Sequence, residues 1–329
     1  LETIAFYHQL VEQDGLDHQD AVRDVLVSIL MSPHFCYRLQ VNQPDQASVA
    51  TSSPVEPGNE AGIHAVPLDS FALANRLSYF LWSSMPDQPL LDAAARGTLS
   101  DHAVLREHVK RMLRHPKARG MAVEFVGNWL GFRQFESHNS VDRNRFPQFD
   151  DALRQAMFQE PVEFACDIMR HNRSVLDFLY ANHTFANATL AEHYGIRQPL
   201  QYDETGWARV DDAQQFGRGG ILPMSVFLTK NSPGLRTSPV KRGFWVVRQL
   251  LGTHIPAPPP DVPELPDDES KLGELSLRQV LAQHREHESC AGCHEKFDSV
   301  GLVFEGFGPI GERRDNDLSG KPVDVVAEF

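Results

Sequence analysis

The sequence predicts a mostly α-helical protein, a large multi-helix domain followed by a small helical module, with little β structure beyond one short hairpin. Three observations carry this. Apolar residues recur at spacings of three and four through most of the chain, helix caps and stop residues punctuate those runs, and strand-like chemistry is confined to one turn-rich stretch.

The first strong element runs from Asp17 to Met31, where Val22, Val25, Leu26, Ile29 and Leu30 share a face and Pro33 follows as a stop. A polar stretch, Asn42 to Gly62, has no periodicity and reads as a surface loop. Asp69 or Ser70 then caps a helix with Leu73, Leu77, Phe80 and Leu81 on one side. Ser100 leads a segment bearing Leu105, Val109, Met112 and Leu113, and after Pro116 the set Met121, Phe125, Trp129 and Leu130 repeats the pattern. A long helix is expected from Asp150 to Met169, kinked at Pro161. A short one is capped by Asn187 and stopped by Gly195. Between Leu200 and Phe216 the pattern weakens, and Asp203 to Val210 is read as the hairpin. Ser238 with Pro239 starts another helix that Gly252 stops, and the prolines from Pro256 to Pro266 form an extended strap. The last module opens with a helix from Ser276 to about His287.

The chain has 329 residues, 41% hydrophobic and 23% charged, enough for one large or two medium domains. The reading divides it into an N-terminal helical segment and loop (1–62), a large helical domain (63–217) and a module that includes the strap (218–329). With 31 Lys and Arg against 44 Asp and Glu the formal charge is −13, and no basic stripe interrupts it. Nucleic acid and anionic membrane surfaces are therefore not expected as partners. No apolar run is long enough to cross a bilayer. The chain starts at Leu1 and reads as a mature or trimmed fragment. Cys36 and Cys166 sit in apolar helical patterns, where buried thiols are expected rather than a disulfide.

Chemistry concentrates at Cys290-Ala291-Gly292-Cys293-His294. In C-x-x-C-H, two thiols on one turn can add to the vinyl groups of haem while the next imidazole reaches iron. Three other readings compete. Zinc would take Cys290, Cys293 and His294 with His284 or His287, but a second cysteine pair at finger spacing is absent. A thioredoxin-like pair would need a strand before the motif, where the sequence is polar and helical. A disulfide between residues so close would add little stability.

Iron needs a sixth ligand, and Met224, in the loop Gly219 to Met224, is the first candidate; the alternative is that it fills the core. His284 and His287 are further candidates. Arg236, Lys241 and Arg242 gather at the helix start near Ser238, where they either hold haem propionates or form a solvated basic face. Glu160 and Glu163, like Asp150 and Asp151, have carboxylate-pair spacing that fits an ordinary helix surface, and no role is assigned to them.

The run Leu77-Ser78-Tyr79-Phe80-Leu81-Trp82-Ser83-Ser84-Met85-Pro86-Asp87, with Asn128-Trp129-Leu130, Ala191-Glu192-His193-Tyr194-Gly195-Ile196 and Arg218-Gly219-Gly220, resembles the planctomycete-type cytochrome c proteins built from domains of unknown function. The resemblance continues through Thr237 to Gly243, the proline strap, and His284 to Gly311. It implies haem attachment at Cys290, Cys293 and His294, modestly favours Met224 as distal ligand, and implies further chain beyond both ends. One departure stands out. Where the family commonly has Asp-Pro after the haem histidine, this chain has Asp298-Ser299, so no proline carbonyl stands there to orient His294.

The expectation is a covalent c-type haem in an oxidising, extracytoplasmic compartment such as the periplasm. Single-electron transfer to a redox partner or an adjacent domain is the first reading. A haem-dependent oxidoreductase acting on an unknown substrate, and a zinc-binding or structural scaffold, are the others.

Overall fold

The computed structural model describes residues 2–37, 68–256, 268, 275–285 and 288–327, without the side chains of His34, His284, Glu288, Ser289 and Cys290. The whole polar loop, nearly all of the proline strap and His287 lie outside the described residues. The fold is mostly α-helical, with one two-stranded antiparallel sheet among the described residues. Two compact units are present, Leu1–Ala74 with Leu91–Leu99, and Asn75–Leu90 with Ser100–Phe329. Among the described residues no helix is long and apolar enough to cross a membrane.

The first unit contains α1 (Glu2–Glu12), α2 (His18–Met31) and α3 (Pro33–Cys36). Asp17 caps α2 by accepting from the Asp20 N–H at 2.8 Å. The apolar stripe expected to face a core is largely exposed, with Leu26 at 54% and Leu30 at 53%. Cys36, expected buried, is exposed and gives its thiol to the Leu30 carbonyl.

Helices α4 (Ser70–Trp82) and α5 (Gln88–Ala95) follow, the former capped by Asp69, whose carboxylate accepts from the Ala72 N–H. In the second unit, α6 (His102–Arg114) is capped by Asp101 rather than Ser100. Short helices α7 (Arg119–Met121) and α8 (Gly127–Trp129) flank a π-helical turn at Ala122–Val126. That turn adds a residue, so the expected four-residue stripe drifts outward and leaves Phe125 and Trp129 partly exposed.

The longest helix, α9 (Asp151–Arg170), is capped by Asp150 and continues unbroken through Pro161. Next come α10 (Asp177–Tyr180), β1 (His183–Ala186), α11 (Ala188–His193, capped by Asn187) and β2 (Ala208–Asp211). The local hairpin does not form: β2 pairs with β1, His183 opposite Asp211. α12 (Ser225–Lys230) and α13 (Pro239–Trp245, capped by Ser238) lead to a second π-helical turn at Val246–Leu250. The chain closes with α14 (Leu277–Arg285) and α15 (Glu288–Leu302).

One core runs from Ala122 to Ile310, so residues on both sides of position 217 share it. An aromatic path crosses it: Phe158 meets Phe132 edge-on, Phe132 meets Phe227, and Phe227 stacks on Trp245 at 4.6 Å. Each such pair contributes about 1 kcal/mol beyond its buried area. Trp245 also donates its indole N–H to the Leu130 carbonyl at 2.8 Å, which anchors α13 to the core.

A polar cluster is buried beside this path. Both Glu160 oxygens accept hydroxyl protons, from Thr184 at 2.6 Å and Tyr194 at 2.5 Å, and Tyr194 in turn accepts the Ser225 N–H. Arg218 lies 3.7 Å over the Tyr194 ring and donates to the Gly311 carbonyl. Burial pushes the Glu160 carboxyl up to about 7, against the opposing pull of the two hydroxyls and Arg218. Burial, aided by the Arg218 charge, pushes His193 down to about 4.

The signs are opposite. Glu160 in the folded protein keeps a proton that the unfolded chain releases between 4.5 and about 7, so it makes stability fall as pH rises through that window. His193 makes stability rise between about 4 and 6.5. Glu160→Gln removes only the first effect. Its stability relative to the wild type should climb with pH across that window, by up to about 1.4 kcal/mol per unit. Denaturant titrations at several pH values check this, and a pH-independent difference would contradict it.

Candidate haem-binding site

The C-x-x-C-H motif lies in the first turns of α15, preceded at once by α14. Ser276 and Gln279 start α14 with a reciprocal capping pair, each side chain accepting the other's backbone N–H. Within α15, positions 290, 293 and 294 fall three and four residues apart, which brings them to one side of the helix. The Cys290 side chain lies outside the described residues.

The helix is seated by an unusually close crossing with α13. A Cβ on Gly301 would stand 1.8 Å from the Pro239 carbonyl oxygen, and one on Gly243 would stand 1.9 Å from that of Phe297. Only residues without side chains permit this approach. The crossing builds a small apolar cluster from Val247, Ile255 and Phe297, with Val240, Phe244, Cys293 and Val300 packed against it. Phe244 and Phe297 meet edge-on at 6.0 Å. Cys293 is thus a half-buried thiol, in no disulfide, against an apolar wall.

His294 is mostly buried, and its ring lies 5.1 Å from that of Phe297. Its Nδ1 pairs with Oδ1 of Asp298, one turn on, at 2.9 Å. Asp298 is 1% exposed, and its Oδ2 stands 3.8 Å from Arg285 Nε on α14. These residues suit haem: a thiol and an imidazole on one helix, an apolar wall, and a carboxylate on the ring nitrogen that a metal would not use. Among the described residues no group of three or more His, Cys, Asp or Glu side chains could hold a metal ion by itself.

The other sequence candidates lie elsewhere. Met224 is 1% exposed and packs in the main core, in a different cluster from Cys293. Arg242, far from forming a solvated face, is buried and donates to the carbonyls of Leu228, Phe304, Phe307 and Gly308 and to the Ser232 hydroxyl. These bonds make it a clamp between α12, α13 and the segment after α15. Arg236 is also buried and donates to the Thr237 carbonyl, while Lys241 is exposed. The His284 side chain and His287 lie outside the described residues. Of the acidic pairs, Asp150 caps α9, Asp151 pairs with Arg143 and Arg154, and Glu163 pairs with Arg119.

Asp298 stood out in the sequence only for the Ser299 that follows it, and its contact with His294 was not foreseen. Its four-residue spacing from His294 on a helix was the available signal.

Two family models match the chain. Residues 68–196 match PSD4, a protein of unknown function (DUF1592), and residues 218–317 match PSCyt3, a protein of unknown function (DUF1588). The PSCyt3 match includes α12 to α15, the glycine crossing, the cysteine motif and Asp298, and the PSD4 match includes α9 and Glu160. The two matched stretches meet in the polar cluster, where Tyr194 of the first accepts from the Ser225 N–H of the second. No curated protein and no solved structure matches the chain.

Proposed function

We propose that this chain is a c-type haem protein that passes single electrons to a redox partner or to an adjacent domain of a longer extracytoplasmic polypeptide. The observation that carries the reading is the seat of the motif: C-x-x-C-H opens α15, with Cys293 on an apolar wall and His294 held through Nδ1 by a buried carboxylate. The name of the C-terminal model, PSCyt3, points the same way.

Cys290 and Cys293 would hold haem through thioether links, and His294 would hold its iron through Nε2. Haem, when bound, supplies a one-electron iron couple. Phe244, Phe297 and the neighbouring valines keep water from that side of the site, and lower polarity around a haem raises its potential. Adding a thiol across a vinyl group is redox-neutral and needs both cysteines reduced, and the proposal places that step in the periplasm.

Visible spectra test the electron-transfer reading. The expected result is a low-spin spectrum that CO and cyanide leave unchanged; a high-spin haem that binds them would overturn this reading in favour of an oxidoreductase. Met224→Ala separates the two roles of that residue. Truncating so buried a methionine should cost about 2–4 kcal/mol whether or not it ligates iron. Conversion to a high-spin spectrum would assign Met224 as distal ligand, and an unchanged spectrum would remove it from the site.

A further inference from the structure

We infer that Asp298 is the positioning residue of the iron ligand, and that its carboxylate sets the donor strength of His294 and thereby lowers the reduction potential of the site. The inference rests on the haem reading above. His294 and Asp298 are one helical turn apart on α15, and the 2.9 Å contact joins Nδ1 to Oδ1. With Nδ1 bonded to a carboxylate, the proton of the imidazole belongs on Nδ1, and Nε2 is the nitrogen presented to a metal.

The acceptor matters as much as the tautomer. A neutral carbonyl holds an imidazole N–H weakly, whereas a carboxylate draws the proton toward itself and gives the ring imidazolate character. A more anionic ligand stabilises ferric over ferrous iron, so the potential falls. Asp298 is well placed for this because it is 1% exposed, and its charge is little diluted by water. Its second oxygen accepts no hydrogen bond among the described residues and has only Arg285, at 3.8 Å, as a partial counter-charge.

Asp298→Asn in the full chain tests this. The amide oxygen can still accept the Nδ1 proton but carries no charge. In the fraction that carries covalent haem, the midpoint potential should rise by about 60 mV, a tenfold change in the one-electron equilibrium. Asp298→Glu should recover part of the shift. If Asp298→Asn binds haem normally at an unchanged potential, the inference falls and the haem reading stands. If the wild type itself carries no covalent haem, both fall. Should Asp298→Asn fail to fold or to take up haem, the ferric wild type decides: EPR with the narrow g spread of an imidazolate-like ligand supports the inference, and g values typical of neutral imidazole overturn it.

Discussion

Gly301→Ala should destabilise the protein by about 3 kcal/mol or more. The new methyl would sit 1.8 Å from the Pro239 carbonyl oxygen and 2.5 Å from its carbon, both backbone atoms. No rotamer change relieves such a clash. Helices α13 and α15 would have to move apart, opening the cluster of Val247, Ile255 and Phe297 that backs Cys293. Gly243→Ala should act alike, since its Cβ would meet the Phe297 oxygen at 1.9 Å. Gly292→Ala is the control, because nothing described lies within 4 Å of its Cβ and a helical position gains up to about 1 kcal/mol from alanine. Urea midpoints compare the three. Equal midpoints for Gly301→Ala and the wild type would contradict the close crossing.

Arg242→Met should cost a similar amount, about 3–5 kcal/mol, for a different reason. Its guanidinium is 2% exposed and holds the carbonyls of Phe304, Phe307 and Gly308, each at 2.6–2.8 Å. A thioether replaces the stem of the side chain but leaves those acceptors buried and without that donor. It also removes the positive charge 3.9 Å from Glu305, itself 3% exposed and paired with Arg314. Arg242→Lys should recover only part of the loss, because one ammonium cannot reproduce a planar fork of donors. A calorimetric or denaturant difference under 1 kcal/mol for Arg242→Met would show that the clamp carries little.

The features legible in the sequence were those decided within one turn of chain. Asp17, Asp150, Asn187 and Ser238 with Pro239 each satisfy orphan N–H groups locally, and each marks a helix start in the structure. Features decided across the chain were not legible. β2 finds its partner in β1, more than 20 residues upstream, because pairing depends on which strand the core presents. The π-helical turns at Ala122–Val126 and Val246–Leu250 shift the face that follows them, which a fixed helical period misses.

Glu160 and Arg242 carry the same lesson for charged residues. Their spacing fits solvated helix faces, yet each is engaged by groups from distant segments, Thr184 and Tyr194 for the first, Phe304 to Gly308 for the second. At the candidate site the cysteine–histidine motif stands out in the sequence because its spacing is confined to five consecutive residues. The glycines that seat α15 were not, since only the crossing shows why a side chain is excluded there.

The most direct test of the central claim is a pyridine haemochrome spectrum of the full chain, expressed in a periplasm with cytochrome c maturation machinery and extracted with acid–acetone. Haem that stays with the protein and gives the α-band of two saturated vinyl groups is the predicted result. Protein that releases all its haem on extraction, or never acquires any, would contradict it.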